Sequence, residues 1–270
     1  MAPAKGVEGV WGEPTSTLDW CEENYIESPY IAELWNTLSS GIIFVLPIFT
    51  MISFLYGNVE VERRFYMLCV GFMTVGLGSW FFHMTLLYES QLFDELPMIW
   101  GTCILLYSFF ETDSKPNSPN YKLMVILLLY AVSVTGIYTL TKDPVIHQAA
   151  YGGLVLMTVC RGTYCFYYSE QEFSPRLLLL SICLYLLAFL LWNIDNAFCD
   201  QLKYMRSFIP TPLDVFLQLH AYWHILAALG THCQIMFSFH ARCRFLKQHT
   251  EIWNIGCLPL VTVKQNGHVD

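Results

Sequence analysis

The feature that most constrains this chain is a succession of apolar stretches running almost unbroken from Leu34 to Phe239, each long enough to cross a bilayer. A spanning helix needs about 20 predominantly apolar residues. In lipid, with no water to satisfy the backbone, such stretches pair internally as helices. Apolar windows bounded by polar or Gly/Pro punctuation predict seven spans, at 34–56, 65–87, 92–110, 121–140, 145–168, 176–198 and 215–239. The breaks read GNVEVERR, YES, ETDSKPNSPN, TKDP, SEQEFSP and CDQLKYMRSFIPTP. The expectation is an all-α membrane protein, a seven-transmembrane helix bundle. It divides into a polar N-terminal segment (1–33), a seven-helix transmembrane domain (34–240) and a C-terminal tail (241–270). Only 13% of the residues are charged, against about 25% in soluble domains. The net charge of -8 gathers in the N-terminal segment and short loops, which excludes a basic surface for nucleic acid. Residues 1–33 lack the charged-then-apolar pattern of a cleavable signal peptide, so the first span must direct insertion.

Seven spans put the termini on opposite faces. The N-terminal face carries Lys5, Lys142, Lys203 and Arg206. The other carries Arg63, Arg64, Lys115, Lys122, Arg176, Arg242, Arg244, Lys247 and Lys264, with Arg161 near it. The positive-inside rule therefore predicts a lumenal N-terminus and a cytosolic C-terminus. Cys21 and Cys199 both fall on the lumenal face, where a disulfide is permitted. Sequence supplies no geometry, and two free thiols remain an equal reading.

Polar side chains inside spans cost a few kcal/mol on insertion scales, so each asks for a reason. Ser79 and His83, in GSWFFHM, stand one helical turn apart near the end of the second span. His220 and His224, in QLHAYWHIL, repeat that spacing near the start of the seventh. Both places lie at the N-terminal face, as does Asp94 in QLFDELPM, so the five residues share a depth. Three imidazoles with one open position form a recognised catalytic zinc set. The competing reading is interfacial histidines, a serine bonded one turn back and an aspartate at a helix start. His147 and His232 read as interfacial or packing residues. Asn193, Asp195 and Asn196 read as groups that satisfy helix-end carbonyls or brace the N-terminal segment. That segment gathers Asp19, Glu22, Glu23 and Asn24, with Glu33 just before the first span. Such oxygen donors suit calcium. On the residues alone, a solvated helix cap with Ser16 and Asp19 as a capping box is the preferred reading.

STLDWCEENY, GSWFFHMTLLYESQLFDELPM, WNIDN and QLHAYWHIL together resemble the alkaline ceramidases, nearest their phytoceramidase branch, over about Trp11 to His240. These are seven-helix membrane hydrolases grouped with the adiponectin-receptor-like proteins. The resemblance implies zinc held by His83, His220 and His224 inside the bilayer, with Ser79 and Asp94 as catalytic residues. It also implies calcium held by Asp19, Trp20 (through its carbonyl), Glu22, Asn24 and Glu33, and a disulfide between Cys21 and Cys199. The implied activity is hydrolysis of ceramides, dihydro- and phytoceramides included, within the endoplasmic reticulum or Golgi membrane, with no obligate protein partner. Two rivals stand beside it. One is a receptor of the adiponectin or progestin type with incidental hydrolysis. The other is a channel or transporter using the same polar residues as an ion path; against it, those residues collect at one depth and the other half of the bundle shows no matching polar track, Arg161 being the exception.

Overall fold

The computed structural model describes residues 7–56, 60–116, 118–168, 173–210, 212–256 and 258–263. Lys5, Lys264 and the end of the tail from 264 lie outside them. Seven long helices account for most of the rest: α1 (Leu34–Tyr56), α2 (Arg63–Thr85), α3 (Tyr88–Phe110), α4 (Tyr121–Thr141), α5 (Pro144–Tyr168), α6 (Pro175–Ala197) and α8 (Leu219–Phe245). A short α7 (Cys199–Arg206) and a 3-10 turn (Leu213–Leu217) connect α6 to α8. By length and composition α1, α2, α4 and α6 can cross a membrane, and the chain is an integral membrane protein. The other three are long enough but more polar, and two of them keep those polar groups against protein. On α8, His220, His224, His232 and Gln234 are all buried, and on α3 so are Gln91, Asp94 and Glu95.

The helices pack as a ring. In it α1 lies between α2 and α8, α2 against α3, α3 against α5, and α8 against α6, with α4 outside on α3 and α5. Contact between α5 and α6 is sparse. The core at the C-terminal face is rich in phenylalanine, with Phe54, Phe65, Phe109, Phe237 and Phe239 in one cluster.

Helix limits depart from the sequence reading where charge decides them. α3 begins at Tyr88 rather than 92, because Glu89 and Ser90 extend its first turn, where negative charge and small polar groups are favoured. α8 runs on to Phe245 rather than 239, since Arg242 and Arg244 suit the negative end of the helix dipole. The all-α expectation also needs correction. Thr250–Ile255 (β1) and Leu258–Val263 (β2) form an antiparallel hairpin with Thr250 opposite Val263. Leu260 and Val261 sink into the phenylalanine-rich core, so the tail is part of the folded unit.

The N-terminal segment is stitched over the end of α2. The amides of Thr15 and Ser16 donate to the Leu86 carbonyl, that of Ala32 to Met84 (3.0 Å) and that of Glu33 to His83 (2.9 Å). Leu86 itself ends α2 in the left-handed region, with φ of 51°. Cys21 and Cys199 are bonded to each other, with Cα atoms 5.2 Å apart, within the usual disulfide span. Arg206 donates to the Cys21 carbonyl and pairs with Glu23 at 3.1 Å. Asp195 accepts from the amides of Cys21 and His220, at 3.3 Å each. It is the brace expected of that position. Arg161 pairs with Asp113 at 3.6 Å and lies over the rings of Phe110 and Tyr164.

Candidate active site

Each imidazole is presented by a helix end. His83 sits in the last turn of α2, while His220 and His224 sit in the first two turns of α8. The structure brings the three together, with one ring nitrogen from each within 4.8 Å of the others. Ring centroids stand 5.3 Å (His83–His220), 4.8 Å (His83–His224) and 4.6 Å (His220–His224) apart. All three are buried. Among the described residues they form the one cluster of three or more such groups able to converge on a metal ion.

Hydrogen bonds fix two of the rings. His83 Nδ1 lies 2.5 Å from the Glu33 carboxylate, leaving Nε2 buried and without a partner. His224 Nδ1 lies 2.8 Å from Ser39 Oγ. The Ser39 hydroxyl donates to the Asn36 carbonyl, so it accepts from the imidazole. The His224 ring therefore carries its proton on Nδ1, and with Glu33 ionised the His83 ring does too, each turning a free Nε2 lone pair away from these supports. That is the arrangement by which outer groups orient metal-ligating histidines. His220 is held by stacking instead, its ring 3.7 Å from that of Trp20, and its Nδ1 is buried without a partner. Orphaned ring nitrogens of this kind are costly unless something accepts the lone pair, and three neutral imidazoles fit zinc.

Ser79 lies one turn before His83, and its hydroxyl is 2.8 Å from Ser40 Oγ. Ser40 donates to the Asn36 carbonyl, so Ser79 is the donor of the pair, and it is not merely bonded to the carbonyl one turn back. Asp94 lies in the second turn of α3, and no described side chain hydrogen-bonds its carboxylate. Both residues face a cavity of about 400 Å³, lined also by His220 and His224 and otherwise mostly apolar. The cavity passes between α5 and α6 residues such as Val155, Val159, Leu186 and Phe189, where those helices meet sparsely. His83 stands behind its lining.

α2 and α3 meet closely beside this site. Pro97 has no N–H for the Phe93 carbonyl one turn back, and Gly78 rests on that carbonyl, where an added Cβ would collide with it and with the Asp94 amide. Gly78→Ala is expected to push α3 away, displacing Asp94 and lowering stability by about 1–3 kcal/mol, as overpacking does. Thermal unfolding of the purified variant, compared with its turnover, checks this. An unchanged Tm would show that the helices can separate freely.

The acidic residues of the N-terminal segment are also gathered, but not as a solvated cap. Residues 13–24 hold no helix, and Ser16 is buried with its hydroxyl donating to the Leu18 carbonyl. Instead Glu22 caps α1, its oxygens accepting from the amides of Trp35 (2.7 Å) and Asn36 (2.9 Å). Glu33 accepts from the Trp20 amide at 3.3 Å, and Asn24 donates to Asp19 at 3.1 Å. Burial and then the charge of Glu33 push the Glu22 carboxyl up to about 8. Burial and then the charge of Asp19 hold Glu33 well above the usual carboxylate range. The Asn24 carbonyl oxygen is buried without a partner. Buried, mutually repelling carboxylates beside an unused oxygen suit a hard cation in donor chemistry, but among the described residues they are not drawn together as tightly as the three imidazoles.

The ceramidase family model matches residues 12–262. The chain belongs to this family. It is 44% identical to alkaline ceramidase 3 of Mus musculus over 97% of both chains. With alkaline ceramidase YPC1 of Saccharomyces cerevisiae the identity is 37%, over 89% of this chain and 81% of that one. With the alkaline ceramidase of Arabidopsis thaliana it is 26%, over 97% and 98%. The family match extends through the hairpin, past the point where the sequence resemblance was traced. Sequence reasoning missed Ser39 and Ser40, the supports of His224 and Ser79. Their signal was an adjacent hydroxyl pair inside an apolar span. It also missed Glu95, which accepts from Tyr138 and Gln91 and whose backbone carbonyl receives His147 Nε2 at 2.8 Å.

Proposed function

We propose that this ceramidase-family hydrolase is a zinc-dependent intramembrane amidase, stimulated by calcium, that converts ceramides, dihydro- and phytoceramides included, to a sphingoid base and a free fatty acid. The observation that carries the reading is the convergence of His83, His220 and His224, the last two lining one mostly apolar cavity together with Ser79 and Asp94. All seven long helices then cross the membrane of the endoplasmic reticulum or Golgi, with the N-terminal segment lumenal and the C-terminus cytosolic.

His83, His220 and His224 would hold the zinc, which when bound supplies Lewis acidity and makes water a nucleophile near neutral pH. Asp94, whose oxygens no described side chain hydrogen-bonds, accepts the proton of the attacking water and returns it to the leaving amine nitrogen. Ser79 can turn its O–H from Ser40 to the amide oxygen as negative charge builds there. The apolar walls take the lipid chains, and the sparse α5–α6 seam lets them arrive from the bilayer without entering water.

Asp19, the Trp20 carbonyl, Glu22, Asn24 and Glu33 would hold the calcium, whose charge would offset the repulsion among these buried carboxylates. Because Glu33 also touches His83 and Trp20 stacks on His220, order in this segment bears directly on two imidazoles. Asp19 is the clean probe, since among the described residues its side chain bonds only its chain neighbours, the Asn24 side chain and the Trp20 amide. Asp19→Asn is expected to raise the calcium concentration for half-maximal stimulation about tenfold or more, with zinc content unchanged. An unaltered calcium titration would remove Asp19 from the site.

The reading as a whole is tested by incubating purified protein with ceramide in lipid nanodiscs. Sphingoid base and fatty acid should appear in equal amounts, cease with a transition-metal chelator and return with zinc. Undiminished turnover in metal-free protein would overturn the zinc assignment. No turnover at all would favour a signalling role.

A further inference from the structure

The cavity does not end against the phenylalanine-rich core alone. Along α8 its lining runs from His220 and His224 through Ala228 to His232 and Ile235, about 22 Å at ~1.5 Å per residue. At the deep end Thr50 of α1, Phe72 of α2, His232 and Ile235 close it. His232 and Thr50 are 2% and 1% exposed, and a polar pair at that depth asks for a reason. Its partner comes from outside the helical bundle. His232 Nε2 is 2.8 Å from the Pro259 carbonyl on β2, and Nδ1 is 2.8 Å from the Thr50 hydroxyl. A carbonyl can only accept, so Nε2 carries the proton, while the Thr50 hydroxyl lies within reach of both Nδ1 and the Leu46 carbonyl at 3.0 Å and is shared between them. The flanking Leu260 and Val261 lie in the same core cluster as Ile235 and Met236, which fixes Pro259 in place.

We propose that the C-terminal hairpin, through the Pro259–His232–Thr50 chain of hydrogen bonds, sets the floor of the cavity and so the length of lipid tail the enzyme accepts. This rests on the ceramidase reading of the site. A tail arriving from the bilayer leaves surroundings as apolar as the cavity, so burial from water contributes little selection by length. Steric exclusion at the floor supplies it instead, because methylenes forced into a packed core are strongly disfavoured. His232 is a positioning residue here, remote from the reacting atoms.

The test is the ratio of kcat/KM for very-long-chain to medium-chain N-acyl ceramides, all with one sphingoid base. His232→Ala opens the floor and frees the hairpin, and should raise the ratio about tenfold. His232→Gln, whose side-chain N–H can reach Pro259, should restore the wild-type profile. Ile235→Phe fills the floor and should lower the ratio, which keeps the proposal testable if His232→Ala does not fold. A uniform fall at every length with the ratio unchanged, in His232→Ala or Ile235→Phe, overturns the proposal. Wild-type protein inert on every ceramide would instead sink the ceramidase reading beneath it.

Discussion

His224→Ala is expected to lower ceramide turnover by on the order of 10³-fold or more, the several kcal/mol of transition-state stabilisation that a catalytic metal supplies. The variant should also purify with little zinc. His224 makes the cleanest case of the three imidazoles. His83 is bound to Glu33, and its loss would disturb the acidic segment as well. His220 stacks on Trp20 and would release that ring. His224 is held, among the described residues, by hydrogen bonds within the first turns of α1, to Ser39, Ser40 and the Asn36 carbonyl, and reaches neither the acidic segment nor Trp20. Metal analysis and sphingoid-base release on the same preparation decide the matter. Stoichiometric zinc with activity within tenfold of wild type would mean that this ring is not a ligand.

Asp94→Asn should produce a loss of comparable size with the opposite metal result. The amide matches the carboxylate in shape but cannot take a proton, and general acid–base groups contribute about 10²–10⁴-fold. No described side chain hydrogen-bonds Asp94, so the isosteric substitution breaks no such bond, and zinc content and Tm should stay at wild-type values. Activity that persists in Asp94→Asn would transfer the proton-handling role elsewhere. Glu95, one residue on and also at the cavity wall, is the group to examine next.

The helices were legible in the sequence because lipid leaves a spanning chain so few options. Hydrophobicity alone delimited α4 within a residue; charge near a terminus extended α3 at Glu89 and α8 at Arg242 and Arg244, α2 shifted by two residues, and α8 begins four residues later than expected because residues 213–217 form a separate 3-10 turn. The three imidazoles were legible for a related reason: ionisable groups in an apolar run stand out, and spacing by four fixes their face. What sequence could not show was contact between distant segments. Ser39 and Ser40 look like ordinary small residues of an apolar helix until His224 and Ser79 are placed against them. Glu22 reads as one more acid in a polar stretch, yet its oxygens meet the first amides of α1. The hairpin escaped because its strands are short and alternate only weakly, and their burial depends on a bundle end that no local pattern reveals.

Residues 15–33 precede every helix in the chain yet are among the last to find their place. Trp20 needs His220, and Cys21 needs Cys199 and Arg206, so they cannot settle until the start of α8 has left the ribosome. A nascent or truncated product lacking α8 has neither the three converging imidazoles nor a seated amino-terminal strap. The fold thus times its own competence, and lipid cleavage becomes available only to molecules in which α8 has been made.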